Sequence, residues 1–360
     1  RRQRQMCIRD RIHTFSDHDN PLPYIKQDFR VNELAGDFGT EQRSPNIATD
    51  GAGNYAVAWV DTRNGAKEVF AQFYNVQDKK IDVNIKVSEQ PNEWNSDPAI
   101  ACNSNGNFII TWAQHSLIIL AQRFDNQGNK IGGNFQVNSI LHNNSNDPVA
   151  AVYENGSFLI VWTQDTGSFG NENTYARMFD ANANPLGNEI IVNDINGKGS
   201  SSIGWGEHLA IDGGGNAVIV WSEYQNGYSR IYLQKLDAQC NKIGGNLIVS
   251  DTTATEDYIF PSVSAINDGH FFIVWEGQGV YGRIYHFDNQ FVTDQIRIRK
   301  SQYTWFPSSV SSDRINKFFV TSSGNGSLKC QQILSSGIFI GALSNLPVGT
   351  KDSVYVYSSI

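Results

Sequence analysis

At 360 residues the chain has room for two ordinary domains or one large repeat-built one, and its 40% hydrophobic and 18% charged residues exclude a disordered chain. A formal net charge of -8, with Lys and Arg spread along the chain and no basic stripe, excludes a nucleic-acid backbone as partner. The longest apolar runs, such as Phe271 to Trp275, are of strand length, far below the roughly 20 residues of a membrane-crossing helix, so no membrane insertion is expected.

Residues 1–28 read as an irregular leader. Within it, Arg4 to Arg11 (RQMCIRDR) resembles translated adaptor sequence, so the lack of a visible signal peptide carries no information. Phe29 to Asn32 (FRVN) then shows the chemistry of a strand. From there to residue 348 one motif recurs: NYAVAW ending at Trp59, NFIITW at Trp112, SFLIVW at Trp162, NAVIVW at Trp221 and HFFIVW at Trp275, with tryptophan spacings of 53, 50, 59 and 54. A sixth copy, KFFVTS, ends at Ser322 where tryptophan is expected, which leaves the packing of that copy open.

Around each motif lie three more strand-like segments. Upstream is one usually opened by proline (Pro45, Pro98, Pro148, Pro261, Pro307). Downstream is one with a small residue followed by Gln or Arg (Ala71-Gln72, Ala121-Gln122, Ala176-Arg177, Gly282-Arg283, Cys330-Gln331), and after a Gly/Asn turn comes a fourth, such as NIKVS from Asn84 and NLIVS from Asn246. Four short strands per repeat, with no helical period, make a sheet that cannot bury both faces alone. Six such sheets stacked around an axis give an all-β propeller of six blades, or seven with a composite blade from the two termini. The five tryptophans are expected between blades. Residues 349–360, which include VYVYSSI at Val354 to Ile360, are expected to close the ring or to pair with another molecule.

The repeat resembles the "fVVaW … aq-x-fD-x-x-G" repeats of secreted and surface proteins of bacteria and some protists. The resemblance covers about residues 29–348 and implies extracellular or cell-surface display and adhesion or binding, with no catalytic signature to carry over. WD40 and sialidase-type signatures are absent: no GH…WD pair recurs and no copy reads Ser-x-Asp-x-Gly-x-x-Trp.

Strand order alone places first-to-second turns at one end of the ring, and second-to-third loops with inter-repeat loops at the other. The first set is monotonous and rich in Gly and Asn, as in Asp50 to Asn54 and Asp212 to Asn216. It reads as hairpin turns, since each offers too few carboxylates for calcium. The second set varies, which is where a ring scaffold places binding residues. Its candidates are Asp61, Arg63, His115, Glu223, Tyr224 and Glu276 after the tryptophans. Trp94, Trp205, Tyr303 and Trp305 join them from inter-repeat loops, where they either bind a ligand or plug the gaps between blade tops.

Aromatic faces beside amides and carboxylates suit sugars. The expectation is therefore a non-enzymatic extracellular propeller binding carbohydrate or a surface glycoprotein, with a self-assembling structural subunit as the alternative. A glycosidase would need a carboxylate pair from Asp61, Asp165, Glu223 and Glu276, which no local motif selects. The seven histidines show no metal spacing, no cofactor motif occurs, and Cys7, Cys102, Cys240 and Cys330 do not form a disulfide framework. Sequons at Asn143, Asn155 and Asn325 fall in loops and are candidate glycan acceptors.

Overall fold

The computed structural model describes residues 30–33, 41–90, 93–139, 141, 144–165, 172–194, 201–202, 208–288, 290–300, 308–324 and 327–346. Their regular elements are strands, in six antiparallel sheets. Blade 1 is β1–β4 (Gln42–Thr49, Tyr55–Asp61, Glu68–Tyr74, Lys80–Lys86) and blade 2 is β5–β8 (Asn95–Cys102, Phe108–Gln114, Ile118–Phe124, Lys130–Gln136). Blade 3 is β9–β12 (Asn146–Val152, Phe158–Asp165, Glu172–Phe179, Ile190–Ile191). In blade 4 the first strand is broken, giving β13–β17 (Ser201–Ser202, Leu209–Ile211, Ala217–Gln225, Tyr228–Leu236, Lys242–Ile248). In blade 5 the last is broken, giving β18–β22 (Ile259–Ala265, His270–Gly277, Gly279–His286, Gln290–Phe291, Ile296–Lys300). Blade 6 is β23–β26 (Ser309–Ser312, Lys317–Gly324, Ser327–Leu334, Phe339–Leu346).

The tryptophan strands are buried on both faces, which explains their unbroken apolar runs. Alternation sorts their residues by size. In β6, Phe108, Ile110 and Trp112 turn toward blade 1 and meet Ala48, Ala56, Ala58 and Ala71, while Ile109 and Ala113 turn toward blade 3. The same large-against-small packing joins blades 2 and 3 around Trp162, 3 and 4 around Trp221, and 4 and 5 around Trp275. All five tryptophans are fully buried, as expected from the sequence.

The Gln of the third strand has a role that spacing alone does not reveal. Gln72 Nε2 donates to the carbonyls of Phe73, Ile81 and Asp82 at 3.0, 3.2 and 3.1 Å, holding a bulge in the fourth strand, and Gln72 Oε1 accepts from Asn84 Nδ2 at 2.7 Å. Gln122 with Asn134 and Gln234 with Asn246 repeat this arrangement. The asparagine also reaches back to the preceding blade: Asn134 Nδ2 donates to Val87 O at 3.1 Å and Asn246 Nδ2 to Val192 O at 3.0 Å. Where Arg replaces Gln it makes that reach itself, Arg177 to Val137 O at 2.8 Å and Arg283 to Val249 O at 3.1 Å. Blades 2 to 5 are thus each pinned to the end of the outer strand of the one before.

The same pin identifies the segment before blade 1. Val31 O accepts from Asn84 Nδ2 at 3.3 Å and from Lys80 Nζ at 3.0 Å, and Glu33 N–H donates to Asn84 Oδ1 at 2.9 Å. Val31 to Glu33 therefore occupies the place of a preceding blade's outer strand. Blade 6 already has its own outer strand in β26, so this segment is additional to the six blades. The other expected end strand, Val354 to Ile360, lies outside the described residues.

The monotonous turns are Asx turns. Asp212 Oδ1 accepts from the N–H groups of Gly214 and Asn216 at 2.8 and 2.9 Å while Asn216 Nδ2 donates to Asp212 Oδ2; Asp50 does the same, and so do Asp125, Asp180 and Asp237 in the third-to-fourth turns. Their carboxylates are taken up by the chain itself. Cys102, Cys240 and Cys330 are free thiols.

Candidate ligand site at the upper face

The lower end, which carries the first-to-second turns, is drawn together. Gly51 N–H donates to Ser104 O at 3.2 Å, and Ser104 Oγ donates to Glu154 at 2.5 Å. Arg314 of blade 6 donates to Ile211 O of blade 4 at 3.3 Å and lies 3.8 Å from Glu154 of blade 3. Reaching past blade 5 in this way carries Arg314 across the lower end of the ring to blades 3 and 4.

At the upper end, the axial mouth opposite Arg314, the innermost strands bulge. Ser44, Asp97, Asp147 and Phe260 have φ between 50° and 53°, each immediately before the recurrent proline and at a shift in strand register. A left-handed backbone at a non-glycine residue is strained, and strain of this kind gathers at functional positions. Two of the four are aspartates. Burial, reinforced by the negative charges of Asp97 and Glu172, pushes the Asp147 carboxyl up to about 8, so it is mostly protonated at neutral pH. No group of three or more His, Cys, Asp or Glu side chains among the described residues is placed to hold a metal ion.

The sequence-derived candidates divide into two sets. Asp61 and Glu223 lie two residues after a tryptophan and are buried as caps on its indole: Trp59 Nε1 donates to Asp61 at 3.0 Å and Trp221 Nε1 to Glu223 at 2.9 Å. Gln164 does the same for Trp162. Arg63 pairs with Asp61 at 2.6 Å and stacks on Phe70, which, with its Trp59 cap, holds the Asp61 carboxyl below the ordinary range against the opposing effect of burial. Burial raises the Glu223 carboxyl. Glu276 is buried against Ser308, and Asp165 is buried opposite Glu172. These four carboxylates come from four different blades.

The second set faces water. Trp94 is 61% exposed, in contrast to the five core tryptophans, so it does not plug a gap between blade tops. Its carbonyl accepts the N–H of His115 at 2.8 Å, and the Lys67 ammonium lies 4.1 Å from the centre of its ring. His115, itself exposed, pairs with Glu93. Trp94 and His115, chosen separately from the sequence, therefore meet on one patch with Lys67 and Glu93. Tyr224 is exposed at the top of blade 4, beside the tight Asn226-Gly227 turn. Trp205, Tyr303, Trp305, Asn143 and Asn325 lie outside the described residues. Asn155 is exposed in a lower turn, its Oδ1 accepting from Ser157 N–H and Oγ at 2.9 and 2.6 Å.

Sequence reasoning missed Asp97, Asp147, Glu172, Lys67 and Glu93. The first two had a signal, an Asp-Pro pair opening the first strand of consecutive repeats.

No protein-family model and no curated protein sequence matches the chain. Among solved structures it is similar to a protein of unknown function from Dyadobacter fermentans, at TM-score 0.55 and 10% identity over 83% of this chain and 93% of that one. It is also similar to the α-L-arabinofuranosidase Arb93A of Fusarium graminearum, at TM-score 0.54 and 10% identity over 82% and 93%. The polysaccharide lyase Uly1 gives TM-score 0.51 and 11% identity over 83% and 80%. At these identities the likeness is one of fold, and the fold of this chain is the β-propeller.

Proposed function

We propose that this protein is a carbohydrate-binding propeller displayed outside the cell, taking its ligand at the upper face beside the axial mouth. The observation that carries the reading is Trp94, whose indole stays in water with Lys67, Glu93 and His115 around it. A large aromatic face held at the surface and flanked by hydrogen-bonding charges matches a sugar ring, apolar on its C–H face and polar at its rim. Two of the proteins of similar fold are named for action on carbohydrates, which agrees with the reading. Display outside the cell rests on the repeat resemblance. Trp94→Ala is expected to weaken binding on a glycan array at least tenfold while leaving the melting temperature unchanged; equal binding by the variant removes the reading.

One observation favours a second reading, glycoside cleavage at the same mouth. Asp147 carries a proton near neutral pH beside Asp97 and Glu172, which is the state required of a general acid. Release of reducing sugar that disappears in Asp147→Asn would establish it. Self-assembly through exchanged end strands has less support, because Val31 to Glu33 is docked on blade 1 of its own chain.

A further inference from the structure

The joint between blades 5 and 6 differs from its neighbours in three respects. Ser322 stands in the tryptophan place. Leu343 stands where Asn84, Asn134 and Asn246 make their backward reach, and a leucine side chain has no N–H to donate. The space left by the indole is filled by polar groups: the Arg299 guanidinium donates to Ser322 O and Oγ at 3.4 and 3.3 Å, and Ser308 Oγ donates to the Glu276 carboxyl, with all four side chains buried.

We propose that this joint is the seam at which the ring loosens, and that protonation of Glu276 keeps it closed. The carboxyl is 2% exposed. Among the described residues the groups that act on its charge are Arg299 from the outer strand of blade 5 and Ser308 at the start of blade 6, with apolar Ile259 opposite it on the first strand of its own blade. Both Arg299 and Ser308 favour the ionised form, but burial outweighs them and raises the group from 4.5 to about 7. In a loosened joint, open to water, it returns toward the ordinary value. The closed joint therefore holds the proton more tightly, so closure is fully favoured below pH 4.5 and is lost as pH rises toward 7. By linkage the opening equilibrium grows up to about a hundredfold between about pH 5 and about pH 8.

Hydrogen exchange of the intact protein, corrected for the intrinsic effect of pH on exchange, tests this. Protection at Val310 and Val320 in blade 6 is expected to fall up to about a hundredfold across that range, while that of Ile110 and Ile160 in blades 2 and 3 stays level. Glu276→Gln, which keeps size and hydrogen bonding, is expected to flatten the blade 6 profile. Ser308→Ala, which removes a donor to the ionised form, is expected to move its midpoint upward. Wild-type protection that falls in parallel in all blades overturns the proposal, as does a Glu276→Gln variant that keeps the wild-type slope.

Discussion

A single substitution separates the two sets of upper-face residues. Glu223→Ala leaves the Trp221 indole N–H buried without its acceptor, which is expected to cost about 1–3 kcal/mol in denaturant unfolding. Ligand affinity should be unchanged. Trp94→Ala is expected to do the opposite. The sequence grouped Asp61, Glu223 and Glu276 with Trp94 because all follow or precede strands at the same end of the repeat. What it did not disclose is that a residue two places beyond a tryptophan returns along the same face of the strand to the indole. Trp94 was legible because it stands outside the core register. Asp97 and Asp147 were present in the sequence as residues before prolines, but their convergence depends on the ring closing around an axis, which no local pattern encodes.

At the scale of the strand, the repeat was read correctly from its period and apolar alternation, since each blade needs the same four segments to cover its neighbour. The Gln or Arg of the third strand was visible as a pattern without a reason. The partners of the Gln lie about ten residues on in the same blade, and those of the Arg lie 40 and 34 residues back in the previous one, so only the folded chain shows what they hold. Gln122→Leu removes one donor serving the Arg123 and Gly132 carbonyls and the acceptor of Asn134. A loss of about 1–3 kcal/mol is expected, seen as a lower urea midpoint with unchanged slope. Asp212→Ala is expected to cost about 1 kcal/mol by freeing two turn N–H groups. Added calcium should leave the melting temperature of the wild type where it was, because those carboxylate oxygens already accept from the backbone.

At the scale of the whole ring, Arg314 crosses the lower end and stands near the half-buried Cys102, whose thiol burial pushes up. Arg314→Ala is expected to open that end, read as faster modification of Cys102 by a small thiol reagent in peptide mass mapping. An unchanged rate would mean that the turns close the channel without it. Of the two ring sizes that the sequence left open, the described residues form six sheets, with Val31 docked beside blade 1. The repeats number six, and the Val31 segment is held on blade 1 outside them.

The pins that run to the residues just after each outer strand point one way along the chain, although Asn103 and Lys235 also reach forward to the Tyr153 and Phe287 carbonyls at 2.8 and 3.1 Å. Asn84 reaches back to Val31, Asn134 to Val87, Arg177 to Val137, Asn246 to Val192 and Arg283 to Val249, always from the later residue to the earlier. During synthesis, then, a repeat that carries such a pin meets an acceptor carbonyl that has already emerged. The ring can be assembled in the order of translation, one blade onto the last, with the joint to blade 6 completed without such a pin.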